Sequence, residues 1–122
     1  MSNPVTRKFD LEERTLIFAS QTRDFLSQLP YSLISQEYIK QLTRSSASIG
    51  ANYIEASEAL GKKDFLMRMR ISRKEAKESI YWLKLIKTSA PELNQTRSNL
   101  INEGTQLMKI FGSIVIKLQN KP

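Results

Sequence analysis

Neither cysteine nor histidine occurs among the 122 residues of this chain. The absence of cysteine excludes a disulfide framework, a thiolate zinc site and a cysteine nucleophile, and it is compatible with a reducing compartment. The absence of histidine removes the commonest general base and the commonest transition-metal ligand. We therefore expect a protein that is not an enzyme and that has no metal site and no cofactor.

Long apolar runs are also missing, and no segment alternates in the way that a β-strand does. Neither the first ten residues nor any later segment has the continuous apolar stretch of a signal peptide or a membrane span, so we expect a cytoplasmic protein. A chain of 122 residues is long enough for one domain with an ordinary core. Because no repeat or linker divides it, we predict a single domain over residues 1–122.

Apolar residues recur at helical spacing in four segments. Asp10 and Glu13 form a capping-box arrangement at the start of the first segment, which Pro30 ends. Gly61 can close the second segment in the left-handed conformation. Similar lengths and short connections favour an all-α fold, an antiparallel up-down-up-down four-helix bundle. The helices are predicted at about residues 10–29, 32–60, 62–88 and 93–119.

Each predicted helix has an apolar face for the core. In the middle of helix 2, small residues from Ser45 to Ala51 should let a neighbouring backbone approach closely. The predicted core face of helix 2 is Ile34, Tyr38, Leu42, Ser46, Ile49, Tyr53, Ala56 and Leu60. That of helix 3 is Phe65, Met69, Ser72, Ala76, Ser79, Leu83 and Ile86. That of helix 4 is Leu93, Leu100, Gly104, Leu107, Phe111, Ile114 and Leu118.

Helices 3 and 4 carry more apolar surface than one bundle core uses. A second stripe lies about a quarter turn from the core face of helix 3, and another repeats every seven residues on helix 4. Leaving large apolar side chains in water forgoes about 1.5–3 kcal/mol each, so self-association is the favoured interpretation. The alternative is a wide core that absorbs them. The predicted interface residues are Met67, Ile71, Trp82, Leu85, Ile101, Met108 and Val115.

Positive charge is concentrated in residues 62–87, which hold nine basic and three acidic residues of a chain with net charge +7. Lys63, Arg70, Lys77 and Lys84 are spaced by seven, so they form one basic ridge on the helix face opposite the core. The ridge extends about 32 Å and can follow several nucleic-acid phosphates. The alternative is a solvated face that maintains solubility. The candidate nucleic-acid-binding residues are Lys63, Arg70, Arg73, Lys74, Lys77, Tyr81 and Lys84.

Helix 2 also carries a polar stripe beside its core face. The stripe has no base to activate a serine hydroxyl, and it has too few ligands for a tight metal site. We interpret it as an inter-helix hydrogen-bond network that fixes register. Glu75 and Glu78 can similarly pair with basic residues near Trp82, within one helix or across an interface. The stripe consists of Gln41, Ser45, Ser48, Asn52 and Glu55, and the last four are the predicted structural network.

Two groups of local strings carry a family resemblance. SIGANYIEA at residues 48–56 resembles the helix-2 signature of the 23S ribosomal RNA intervening-sequence protein family. KDF at 63–65, KEAKES at 74–79 and YWL at 81–83 resemble its helix-3 signature. Their order and spacing, in a chain of this length, make the resemblance specific, and it spans roughly residues 9–118. One departure is Ala56-Ser57, where many members have Glu-Gly.

The resemblance implies an antiparallel four-helix bundle that assembles as a homopentamer and has no enzymatic activity. It also implies kinship with the accessory variability determinant of diversity-generating retroelements, a basic pentameric bundle that works with a reverse transcriptase and nucleic acid. The implied partners are copies of this chain, RNA or DNA, and by analogy a reverse transcriptase.

Our leading hypothesis is a non-enzymatic oligomeric bundle that binds the RNA or DNA backbone through the basic ridge. One alternative is an oligomeric scaffold or protein-interaction module without a nucleic-acid role, whose charge maintains solubility or attracts an acidic protein. Another is an enzyme or cofactor-binding bundle.

Overall fold

Four α-helices form the structure, a computed structural model that describes residues 10–121. The remainder of the predicted domain, residues 1–9 and 122, lies outside the described residues. Consecutive helices pack against each other and α1 also packs against α4, so the helices enclose a common core. The prediction of an all-α four-helix fold is therefore confirmed, and residues 10–121 contain no strand. The helices are α1 (Leu11–Leu26), α2 (Leu33–Ser57), α3 (Lys62–Leu85) and α4 (Pro91–Gln119).

The helix starts follow from local capping chemistry. The side chain of Asp10 accepts a hydrogen bond of 2.8 Å from the backbone N–H of Glu13, as predicted for the start of α1. Ser32 and Ser35 exchange reciprocal hydrogen bonds of 2.9 Å at the start of α2. Pro91 occupies the first position of α4, where its missing N–H costs nothing. None of the four helices has the length and hydropathy that a membrane span requires.

The predicted end of helix 2 is wrong. The helix stops at Ser57, and Gly61 does not close it; Gly61 instead adopts its φ of +131° immediately before α3. The assignment of Ile34 and Leu60, at the two ends of this segment, to the core is also wrong. Ile34 is 67% exposed and Leu60 is 98% exposed. These positions lie in the first turn of α2 and beyond its last turn, where no neighbouring helix covers them. Helix α1 similarly ends at Leu26, before the predicted residue 29.

The core is made of interlocking apolar side chains from all four helices. Phe18, Phe25 and Phe111 are at most 1% exposed and fill its largest volumes. Of the predicted core face of α3, only Phe65 is not fully buried. On α4 the central predicted positions are buried and the outer ones are half-buried. The buried α4 positions are Leu100, Gly104, Leu107 and Phe111, and the half-buried ones are Leu93, Ile114 and Leu118.

The predicted close approach at the middle of α2 is confirmed. A Cβ atom added to Gly50 would lie 2.7 Å from Oγ1 of Thr15, so α1 packs directly against the bare backbone at this point. On the other side, Ser72 of α3 donates a hydrogen bond of 2.9 Å to the backbone carbonyl of Ile49. Small side chains on α2 therefore let both neighbouring helices come close and hold α3, with its charged face, in a defined rotation.

Candidate nucleic-acid interface

The basic ridge lies on the outer face of one continuous helix. Lys63, Arg70, Lys77 and Lys84 all belong to α3 and all are exposed. Of the flanking residues, Lys74 is exposed and Arg73 is half-buried, while Tyr81 is 59% exposed. The predicted outward orientation is confirmed for the four ridge residues, Lys74 and Tyr81, but only in part for Arg73.

No carboxylate within residues 10–121 forms an ion pair with the cations of the basic ridge. Two of the acidic residues of α3 point instead toward Arg44 on α2. Its guanidinium nitrogens lie 3.3 Å from a carboxylate oxygen of Glu75 and 3.1 Å from one of Glu78. The ridge therefore keeps its charge available for an external anion.

Arg44 is the functional residue that sequence reasoning did not identify. The Glu75 side chain is only 8% exposed, whereas that of Arg44 is 52% exposed, so the cation covers the carboxylate from the solvent side. The hydrogen bond to Glu75 raises the pKa of the Arg44 guanidinium. Arg44 lines the same groove as Trp82, so the expectation that Glu75 and Glu78 pair near Trp82 is confirmed. The predicted placement of the partner is wrong, however, because Arg44 comes from α2 of the same protomer and lies neither within α3 nor across an interface.

Two grooves flank the outer face of α3. The groove on the α4 side brings Met108 next to basic residues of α3. There the side chain of Arg73 passes over α4, with its Cδ 3.5 Å from the position that a Cβ on Gly112 would take. This contact explains why Arg73 is half-buried. The basic residues in this groove are Arg70, Arg73, Lys74 and Lys77.

The groove on the α2 side combines cations with aromatic rings. Trp82 packs near Tyr38, with ring centroids 6.0 Å apart, and near Tyr81, with centroids 5.4 Å apart and planes at 75°. The same groove contains the side chains of Lys74 and Lys77. Tyr81 thus stands at the border between the basic ridge and an aromatic cluster.

The predicted oligomer interface is only partly exposed. Val115 is 2% exposed and belongs to the core, so its assignment to an interface is wrong. The apolar stripe of α4 is broader than one heptad seam, and the core takes up its second row. Trp82, Ile101 and Met108 are half-buried and also pack against the core cluster. What remains are three apolar residues spaced along α3, here called the outer apolar patch: Met67 is 45% exposed, Leu85 is 37% exposed and Ile71 is half-buried.

The predicted polar network is confirmed for two of its four residues. The Oγ atoms of Ser45 and Ser79 lie 2.9 Å apart between α2 and α3. The side-chain oxygen of Asn52 accepts a hydrogen bond of 3.1 Å from Arg68.

The network prediction is wrong for the other two residues. Ser48 donates to the carbonyl of Arg44 within its own helix. Glu55 is exposed, and its side chain makes no hydrogen bond to any described residue. The described part of the chain contains no group of three or more acidic residues placed to hold a metal ion.

The fold and this surface define a small four-helix protein with a cationic outer face. The chain matches the family described as 23S rRNA-intervening sequence protein over residues 7–113. It belongs to that family, which confirms the resemblance carried by the strings in helices 2 and 3.

Among solved structures, the chain is similar to a protein with unknown function from the S23 ribosomal protein family of Bacteroides thetaiotaomicron VPI-5482. The two sequences are 31% identical, and the structures superpose with a TM-score of 0.70 over 85% of this chain and 96% of the other. A comparison with curated proteins gives no match.

Proposed function

We propose that this protein is a non-enzymatic, oligomeric bundle that binds the phosphate backbone of RNA or DNA through the basic ridge. The observation that carries the proposal is the pairing of Arg44 with Glu75 and Glu78. Arg44 of α2 supplies the cation for these carboxylates, and the lysines and arginines of α3 form no ion pair with a carboxylate within residues 10–121. A row of cations about 10.5 Å apart along an unbroken helix can contact several phosphates of a nucleic-acid strand, although not every consecutive one.

Binding of this kind acts through phosphates and does not read base edges. Each neutralised phosphate releases condensed counterions, so the affinity falls steeply as salt is added. Contacts to phosphate position the nucleic acid but carry no sequence information directly. The protein therefore should not discriminate strongly between sequences of the same length and structure.

We further propose an up-down-up-down arrangement of the helices within each protomer. Contacts between α2 and α3 pair Tyr38 with Trp82 and Ser45 with Ser79. Asn52, near the end of α2, contacts Arg68 near the start of α3. Residue numbers fall along α3 as they rise along α2, which supports opposite directions for these two helices.

The proposed assembly is a homopentamer, as the family resemblance implies. Its interface would use the outer apolar patch of Met67, Ile71 and Leu85. Met67 lines a groove with Lys63 and Arg70, and Met108 lies among other cations of α3, so an interface through either residue would lie next to the basic surface. Repeating the ridge in several copies turns weak phosphate contacts into avidity. By analogy with the retroelement protein, a reverse transcriptase is a proposed partner, and the cytoplasm is the proposed compartment.

The test compares two triple variants with the same loss of charge. The ridge variant replaces Arg70, Lys77 and Lys84 with glutamine. The control replaces three exposed lysines outside α3 with glutamine. Binding of a labelled single-stranded RNA and of a duplex DNA is measured across a salt series, with circular dichroism to confirm folding. The control lysines are Lys40, Lys109 and Lys117.

The ridge variant should bind more weakly. The slope of log affinity against log salt concentration should shrink in magnitude by about two to three, because each missing phosphate contact releases roughly one counterion fewer on binding. The control should retain most of the affinity. If the two triple variants lowered the affinity equally, the ridge would not be the binding site. A wild-type protein that binds neither nucleic acid at low salt would overturn the proposal and favour the oligomeric scaffold.

A further inference from the structure

The groove between α2 and α3 contains aromatic side chains, which binding to the phosphate backbone of a nucleic acid does not require. It is lined by the aromatic residues Tyr81 and Trp82, by Lys74 and Lys77, and by Glu78, whose carboxylate is paired with Arg44. Its volume of about 670 Å³ lies within the range of small-molecule sites. Phosphate contacts need only the cations, so the exposed ring of Tyr81 has no role in phosphate binding itself.

The position of Tyr81 relative to the cations is set by helix geometry. Tyr81 follows Lys77 by four residues, so the two side chains are neighbours on the same face of α3. The Tyr81 ring is 59% exposed and contacts Trp82 in an edge-to-face arrangement. A phosphate held at Lys77 therefore places the attached nucleoside next to an exposed aromatic ring.

We propose that this groove binds single-stranded nucleic acid, with one unpaired base stacked on Tyr81 and the adjoining phosphate at Lys74 and Lys77. This inference rests on the proposed function. Base–aromatic stacking tolerates any base, because every base has a π-face. A duplex cannot make the same contact, since its bases are already paired and stacked inside the helix. Tyr81 therefore selects the strandedness of the ligand and not its sequence.

A second exposed tyrosine offers a matched comparison. Tyr31 is 76% exposed, more than Tyr81. Its surroundings are mainly apolar, and Lys87 is the one cation that lines its groove within the described residues. Exposure alone would make Tyr31 the better stacking surface, whereas the juxtaposition of ring and several cations favours Tyr81.

The experiment uses two single strands of equal length and charge, a thymidine oligomer and an abasic oligomer that lacks bases. Affinities are measured for the wild-type protein and for Tyr81→Leu, Tyr81→Phe and Tyr31→Leu. Trp82 is the single tryptophan of the chain and lines the same groove, so its fluorescence reports a base that enters.

The wild type should bind the thymidine oligomer more tightly than the abasic one, with quenching of Trp82 by the thymidine strand only. Tyr81→Leu should lose about fivefold or more in affinity for the thymidine strand, the lower end for one base–aromatic stack. It should bind the abasic strand unchanged. Tyr81→Phe and Tyr31→Leu should behave as wild type.

Equal wild-type affinity for the two strands would overturn this inference while leaving backbone binding intact. A loss in Tyr31→Leu as large as that in Tyr81→Leu would also overturn it. If the wild type binds neither strand at low salt, the proposed function itself fails, and the inference falls with it.

Discussion

Arg44 on α2 covers Glu75 on α3, with a guanidinium nitrogen 3.3 Å from a carboxylate whose side chain is 8% exposed. A carboxylate with so little access to water needs a partner, because burying an unpaired charge is costly. The same pairing removes the Glu75 charge from the neighbourhood of the basic ridge. One contact therefore supports both the packing of α2 against α3 and the electrostatics of the outer face.

The first prediction concerns this pair. Arg44→Met should lower the free energy of unfolding by about 1–3 kcal/mol, because it leaves the Glu75 carboxylate buried without its cation. Combining it with Glu75→Gln should recover most of the loss. Urea denaturation measures both changes.

The control is Arg23→Met, since the Arg23–Asp24 pair is exposed on both sides, with side-chain exposures of 71% and 66%. That substitution should change the stability by less than about 0.5 kcal/mol. If Arg44→Met were as mild as Arg23→Met, the buried pair would not contribute as described.

The second prediction compares two glycines within helices. Gly50→Ala should destabilise the protein by about 1–3 kcal/mol, because the new Cβ would lie 2.7 Å from Oγ1 and 3.1 Å from Cβ of Thr15. Gly112→Ala should be neutral or stabilising by up to about 1 kcal/mol, since its Cβ would meet Arg73 at an ordinary distance of 3.5 Å. Thermal and urea denaturation distinguish the two. Stabilisation by Gly50→Ala would show that α1 does not approach α2 closely.

The third prediction concerns self-association through the outer apolar patch of α3. Met67→Glu should dissociate the oligomer, because it places a charge in an apolar contact between protomers. Light scattering should then report a protomer of 14.0 kDa in place of the assembly. Leu33→Glu is the control, since Leu33 is 83% exposed at the start of α2.

Two results would contradict this assignment. A wild-type protein that is monomeric at micromolar concentration would exclude the oligomer. Dissociation by Leu33→Glu alone would move the interface away from α3.

The parts of the fold that sequence predicts well depend on short-range spacing. Asp10 caps α1 because its side chain reaches an N–H only three residues away. The buried faces of α3 and α4 follow from spacings of three and four within one helix. The end of α2 cannot be predicted in this way. A glycine with positive φ, such as Gly61, can either close one helix or precede the next, and the sequence does not distinguish the two cases.

Contacts between helices are less accessible to sequence reasoning. The pairing of Arg44 with Glu75 joins residues 31 positions apart and depends on how α2 and α3 are rotated against each other. The buried position of Val115 similarly depends on how far the core extends across α4. Periodicity identifies a second apolar stripe but does not say whether the same protomer or another copy covers it.

In the candidate site, too, features within one helix are predictable from the sequence, whereas contacts between helices are not. The outward direction of Arg70, Lys77 and Lys84 is predictable, because residues seven apart share a helix face. The presence of Met108 among these cations is not, since it comes from the neighbouring helix. Met67 of the outer apolar patch also lines a groove with Lys63 and Arg70, so the proposed interface and the basic ridge are closer together than sequence reasoning suggests.

The core also contains several buried hydroxyl groups. Thr15, Thr22, Ser45, Ser72 and Ser79 are each at most 1% exposed. Exposure of polar surface on unfolding lowers the heat capacity change, whereas exposure of apolar surface raises it. The curve of stability against temperature is consequently flatter than for an equally long bundle with an all-hydrocarbon interior, so warming and cooling shift the folded population less.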